Sequence, residues 1–87
     1  MITSIDDFNR ARSIAEDISN GNVVNIQSTI KAAANSISEN KDKKEFYDYI
    51  GSLLLNTILN REKEFGEEGV QRALEGRRII KNIINTL

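Results

Sequence analysis

Eighty-seven residues, 39% of them hydrophobic and 29% charged, with a formal net charge of −1, suit one small helical domain over residues 1–87. They do not suit a polyelectrolyte tail or a nucleic-acid binder with a basic excess. Cysteine and histidine are both absent, which excludes disulfide frameworks, thiolate or imidazole zinc sites and histidine-activated nucleophiles. The opening MITSIDDFNRA carries acids where a secretory leader needs a basic and then an apolar segment. The longest mostly apolar run, Ile50–Leu59, is about half the length of a bilayer span. The abundance of Ile and Asn accords with an AT-rich bacterial or phage genome. The expected location is therefore the cytoplasm of a bacterium, or of an infected host cell.

Proline is absent and apolar residues recur at spacings of three and four, so the chain reads as all-α. The first helix is expected over about 4–19, with Ile5, Phe8, Ala11, Ala15 and Ile18 on one stripe. Thr3 or Ser4 can cap it, Asp6 and Asp7 suit its positive end, and Asn20-Gly21-Asn22 stops it. A second helix, about 23–38, is expected to start from Asn22 and to bury Ile26, Ile30, Ala33 or Ala34, and Ile37. The polar stretch Ser38–Lys41 forms a short link.

Asp42-Lys43-Lys44-Glu45 has the form of a capping box and predicts a third helix over about 42–65. Gly66 closes it, and Glu67-Glu68 open a fourth helix, about 67–86, with the favourable sign of charge. The predicted architecture is a four-helix bundle, or a long antiparallel αα-hairpin braced by the two shorter N-terminal helices.

The third helix carries more apolar surface than one face needs. Phe46, Ile50 and Leu53 make one stripe, Tyr47, Leu54 and Ile58 the next, and Leu55 and Leu59 point in a third direction. A surface helix needs a stripe of about 100°, and three other helices are few to surround a fourth. Burying three extra leucines contributes roughly 5–8 kcal/mol, comparable to the whole stability of a small domain. Tyr47, Leu54, Leu55 and Leu59 are therefore the expected interface. It would serve a protein partner, self-association as a homodimer or higher oligomer, or both.

Gly76 and Arg77 stand out in the fourth helix. Gly69, Ala73 and Gly76 share a side and allow close approach, and Arg77 interrupts an apolar seam of Val70, Ala73, Ile80, Ile84 and Leu87. In the preferred reading Arg77 snorkels past the seam and pairs with an acid on another helix. In the alternative, Arg72, Arg77 and Arg78 bind an anion, the Gly76 notch giving access and the guanidinium a planar fork. The carboxylate pairs Asp6-Asp7, Glu16-Asp17, Glu62/Glu64 and Glu67-Glu68 lack calcium-loop or di-iron spacing and read as solvated faces. No catalytic, metal or cofactor site is expected, nor any association with a membrane.

The leading functional expectation is a non-enzymatic interaction protein that docks a helix face onto a macromolecule, as inhibitors, antitoxins, immunity proteins and adaptors do. One alternative is a homo-oligomer sequestering a small anionic ligand such as a nucleotide. Another is a helix-turn-helix DNA-binding regulator, disfavoured because the third helix offers leucines and aromatics where base edges need polar side chains.

Overall fold

A computed structural model describes residues 3–87. Among them the secondary structure is four helices: α1 (Ile5–Asn20), α2 (Ile26–Ala33), α3 (Asn40–Asn60) and α4 (Glu62–Asn85). They pack compactly, with a radius of gyration of 12.1 Å. Helices α3 and α4 share the most extensive contact, α1 lies against both, and α2 rests on α4 and α1.

Helix α1 begins and ends as its sequence demands. The Ser4 hydroxyl accepts from the Asp7 amide at 3.4 Å. Gly21 takes the left-handed conformation (φ 78°) that lets the chain turn back. The amides of Gly21 and Asn22 then donate to the carbonyls of Ile18 and Asp17. Ala11, Ile14, Ala15 and Ile18 are buried, whereas Ile5 is 74% exposed and leaves the expected stripe.

Helix α2 is shorter than the spacing predicts, eight residues against about fifteen. Asn22 is engaged in closing α1, and the cap is Asn25, whose side chain accepts from the Ser28 amide at 2.9 Å. At the other end Arg10 of α1 donates to the Ala33 carbonyl at 2.9 Å and to the Ser36 hydroxyl. Ile37 still reaches the core from the turn that follows.

The hairpin differs from the expected one at both ends of α3. The helix starts at Asn40, so Asp42 lies within its first turn instead of at the cap, and Glu39 holds the cap position without a side-chain bond. It ends at Asn60, where Arg61 leaves helical geometry (φ −122°, ψ 22°). One helical turn follows before Gly66 (φ 77°, ψ 176°) redirects the chain into the long arm of α4. The connection therefore has two corners where one was expected.

The core sits where α1, α3 and α4 meet. Phe46, Ile50 and Leu54 are fully buried, with Ile18, Ile30, Ile80 and Ile83 around them. Tyr47 and Leu54, expected at an interface, belong to this core, 3% and 0% exposed. Tyr49 is half-buried, edge-on to Phe8 with centroids 5.2 Å apart. The two buried hydroxyls, Ser19 and Thr57, back-bond to the carbonyls of Ala15 and Leu53 and lie 3.4 Å from each other.

Two glycines of α4 set the interhelical spacing. A Cβ on Gly76 would come within 2.8 Å of Leu54 Cδ1, and one on Gly69 within 3.1 Å of the Ser19 carbonyl and 2.4 Å of Phe65 Cβ. Alanine gains about 1 kcal/mol of helix propensity at either position, while overpacking costs about 1–3 kcal/mol. Leu54 Cδ1 ends a rotatable side chain, but Phe65 Cβ and the Ser19 backbone cannot step aside. Gly69→Ala is expected to lower unfolding stability by about 1–2 kcal/mol and Gly76→Ala by less, read from urea midpoints. The reverse order would contradict this packing.

Burial also pushes the Tyr47 phenol above its ordinary value of 10.0. The folded protein therefore keeps a proton that the unfolded chain releases near pH 10. This contribution is complete below pH 10.0 and is lost as pH rises through the higher folded value. Tyr47→Phe is expected to flatten the alkaline limb of stability against pH. An unchanged limb would assign that limb to other groups.

Candidate functional site

An open groove of about 500 Å³ follows the seam between α3 and α4. Asp48 and Ser52 line one wall, and Arg77, Lys81 and Ile84 line the other. Steps of three and four residues toward the interhelical turn continue both walls. On α3 they lead from Ser52 to Leu55 and Leu59; on α4 they lead from Arg77 and Arg78 to Leu74 and Val70. Leu55 is 39% exposed, Leu59 69% and Leu74 45%, and Val70 is half-buried. Ile18 and Ser19 of α1 meet Gly76 and Thr57 on the other side of the hairpin. One broad face of α3 and α4 is thus left uncovered, apolar around Leu55, Leu59, Val70 and Leu74 and charged beyond them at either end.

Of the four residues expected at an interface, the structure places two on this face. Leu55 and Leu59 lie there; Tyr47 and Leu54 are buried in the core, Leu54 against Gly76 of α4. The distinction is angular. Residues 47 and 54 point along the seam, and residues 55 and 59 are turned about 100° and 140° from it. Leu74 went unnoticed in sequence, although its spacing from Arg77, Arg78 and Lys81 puts it on the same wall.

The three candidate anion-binding arginines serve three different partners. Arg72 reaches the end of α1, where Nε and Nη2 donate to the Ser19 carbonyl at 3.1 and 2.8 Å. Its guanidinium lies over Gly21, where an added Cβ would come within 3.1 Å of Cζ. It neutralises the negative end of α1. Arg77 donates to the Gly51 carbonyl at 2.6 Å, so its acceptor is a backbone oxygen of α3 instead of the expected acid. Arg78 forms a two-pronged pair with Glu75 on its own helix, which holds the Glu75 carboxyl below its usual range and raises the guanidinium. Arg77, Arg78 and Lys81 line one groove, but Arg72 does not join them, and both other guanidinia already have acceptors.

A second groove of about 510 Å³ lies between α1 and α3, lined by Asn9, Arg12, Glu16, Asp17, Asn56 and Arg61. Two of its charges, Glu16 and Arg61, are spent on each other. Arg61 pairs with Glu16 at 2.8 Å, donates to Glu64 at 2.9 Å and stacks over the Phe65 ring, 4.6 Å from its centroid. The Arg61 hydrogen bond holds the Glu64 carboxyl below its ordinary value. This is the clasp of the interhelical corner; Glu16 and Glu64 read in sequence as solvated acids, and Arg61 and Phe65 were not singled out there. Among the described residues, no three acidic side chains converge as metal ligands. No helix of the described residues is long and apolar enough to cross a membrane.

No protein-family model, curated protein or solved structure matches this chain. Function has to be read from the surface itself. The roles of the arginines are separable by stability. Arg72→Ala is expected to cost about 1–2 kcal/mol, since charge-assisted bonds to a carbonyl are lost at a partly shielded site. Arg78→Ala should leave the urea midpoint unchanged, because its pair with Glu75 is open to water. Equal losses would refute the assignment of Arg72 to the end of α1.

Proposed function

We propose that this chain is a small non-enzymatic interaction protein, acting by stoichiometric docking of the outer face of α3 and α4 onto another protein. In this reading the long hairpin is the platform, and α1 and α2 brace it from behind. The observation that carries the proposal is the placement of Leu55, Leu59 and Leu74 on one face, 39%, 69% and 45% exposed, while the rest of α3's apolar surface is turned inward. Isolated exposed leucines are ordinary; three on one continuous face mark a contact surface. The absence of histidine and cysteine, and acids dispersed as surface pairs, favour a binding role over catalysis. Size and architecture support the reading only by analogy of form with inhibitors, antitoxins, immunity proteins and adaptors of bacteria or phages.

The magnitude of the apolar term limits how the face can work. Covering what remains exposed of the three leucines contributes roughly 2–5 kcal/mol. Association costs about 4–15 kcal/mol in lost freedom of motion. The charged rim must therefore take part in binding.

A labelled chain, sedimented alone and in cell extract, is expected to run above its 9.8 kDa monomer mass in at least one of the two. Leu55→Glu combined with Leu59→Glu is expected to return it to monomer mass in both, with helix content by circular dichroism unchanged. Association that survives the double substitution would move the docking surface elsewhere. A chain that stays monomeric in both conditions would overturn the proposal.

A further inference from the structure

Along the exposed side of α4 the residues run Glu67, Val70, Leu74, Arg77, Lys81. Leu74 lies seven residues after Glu67 and seven before Lys81, so acid and base stand two helical turns, about 10.5 Å, to either side of it. Both are exposed, and among the described residues neither forms an ion pair within the chain. Of the other charges at the basic end, Asp48 pairs with Lys44 at 2.8 Å, Arg78 pairs with Glu75, and Arg77 donates to the Gly51 carbonyl.

We infer that the occupant of this face is a second copy of the same chain, packed across a two-fold axis at the level of Leu74 and Leu55. The inference rests on the docking reading above and names its partner. An axis lying in the plane of the face and perpendicular to α4 stacks α4 antiparallel on its mate. It brings Glu67 of each copy to Lys81 of the other and sets Leu74 against Leu74. A two-fold contact must be self-complementary; acid, leucine and base at equal intervals on one helix meet that requirement without any further residue. Helix α3 obeys the same axis. Gly76 meets Leu54, and Gly51 meets Arg77 and Ile80, so Leu55 stands level with Leu74 and would meet its own copy, with Leu59 beside it.

The dimensions fit as well. The molecule extends 36 × 25 × 20 Å, so its largest side is big enough to supply the roughly 800 Å² that each partner contributes to a stable dimer. A heterologous partner of unrelated sequence would not need the charges of this chain to be balanced about Leu74.

The test is charge reversal, read by sedimentation equilibrium at low salt, where such pairs are least screened. The unaltered chain is expected at twice 9.8 kDa. Glu67→Lys alone and Lys81→Glu alone place like charges opposite each other in both halves of the interface. Each is expected to weaken the dimer on the order of tenfold or more. The double variant Glu67→Lys/Lys81→Glu recreates both pairs in reverse and is expected to restore it. A foreign partner of fixed charge would instead be lost further in the double variant.

Both positions are exposed, and helix content checks that folding is intact. As a second reading, the cysteine-free chain carrying Leu74→Cys is expected to form a disulfide-linked dimer on mild oxidation, and one carrying Ser13→Cys, on α1, is not. A monomeric unaltered chain, or a double variant no better than the single ones, would overturn the inference. If association appears only in cell extract and is lost with Leu55→Glu/Leu59→Glu, the docking proposal stands and this one falls.

Discussion

The close approach of α4 to α3 and α1 at Gly76 is the constraint from which the rest of the structure follows. Without a Cβ there, Leu54 and Ile18 reach the α4 backbone together, and three helices share one core point. Everything apolar that faces that point is dry: Phe46, Ile50, Leu54, Ala73 and Ile80. The same closeness has a geometric consequence. Helices α1 and α4 pack against α3, α2 packs on α4 and α1, and among the described residues Leu55 and Leu59 are left exposed.

That division explains why an arginine lies in an apolar seam. Arg77 stands at the boundary between the dry side of the hairpin and the open one. Its stem follows the seam and its head is held by the Gly51 carbonyl at 2.6 Å. Arg72 performs a similar service at the end of α1, and Arg10 at the end of α2. In each case a guanidinium from one helix satisfies a carbonyl on another. Among the described residues, no buried side-chain polar atom is left without a partner. These arginines tie the helices to one another, and α2, at eight residues, is too short to be stable alone in water. This use of guanidinium groups also limits the case for an anion site, because the donors that would grip a phosphate are largely engaged.

Much of the fold was legible in the sequence because local chemistry sets it. Ser4 with two following aspartates starts α1 and Gly21 ends it, and Gly66 does bend the chain at a positive φ, although α3 has already ended a helical turn earlier at Asn60. The errors arose where tertiary contact decides. Asn22 is as good a cap as Asn25, but its amide is drawn back onto α1, so α2 starts later. Asp42 and Glu45 have capping-box spacing, yet α3 gains an earlier turn and places Asp42 inside. The exit at Arg61 has no glycine or proline to announce it; the ion pairs to Glu16 and Glu64 hold it. For the surface, periodicity identified a helix with too many apolar directions but could not say which of them α1 and α4 would cover. Tyr47 and Leu54 therefore look like Leu55 and Leu59 until the neighbouring helices are in place. The spacing of Leu74 from Arg77 and Lys81 puts it on their wall, but that it stands level with Leu55 depends on the register between α3 and α4, which the packed structure supplies.

The self-association inferred for this face reduces to whether one leucine face is dry by folding and another dry only when two copies meet. The most direct measurement is solvent paramagnetic relaxation of the leucine methyl groups across a dilution series. Leu54 is expected to be shielded at every concentration, with Leu55, Leu59 and Leu74 shielded at high concentration and exposed together on dilution. Methyl groups of Leu55, Leu59 and Leu74 that stay equally accessible throughout, or a Leu54 that is accessible at all, would contradict the account.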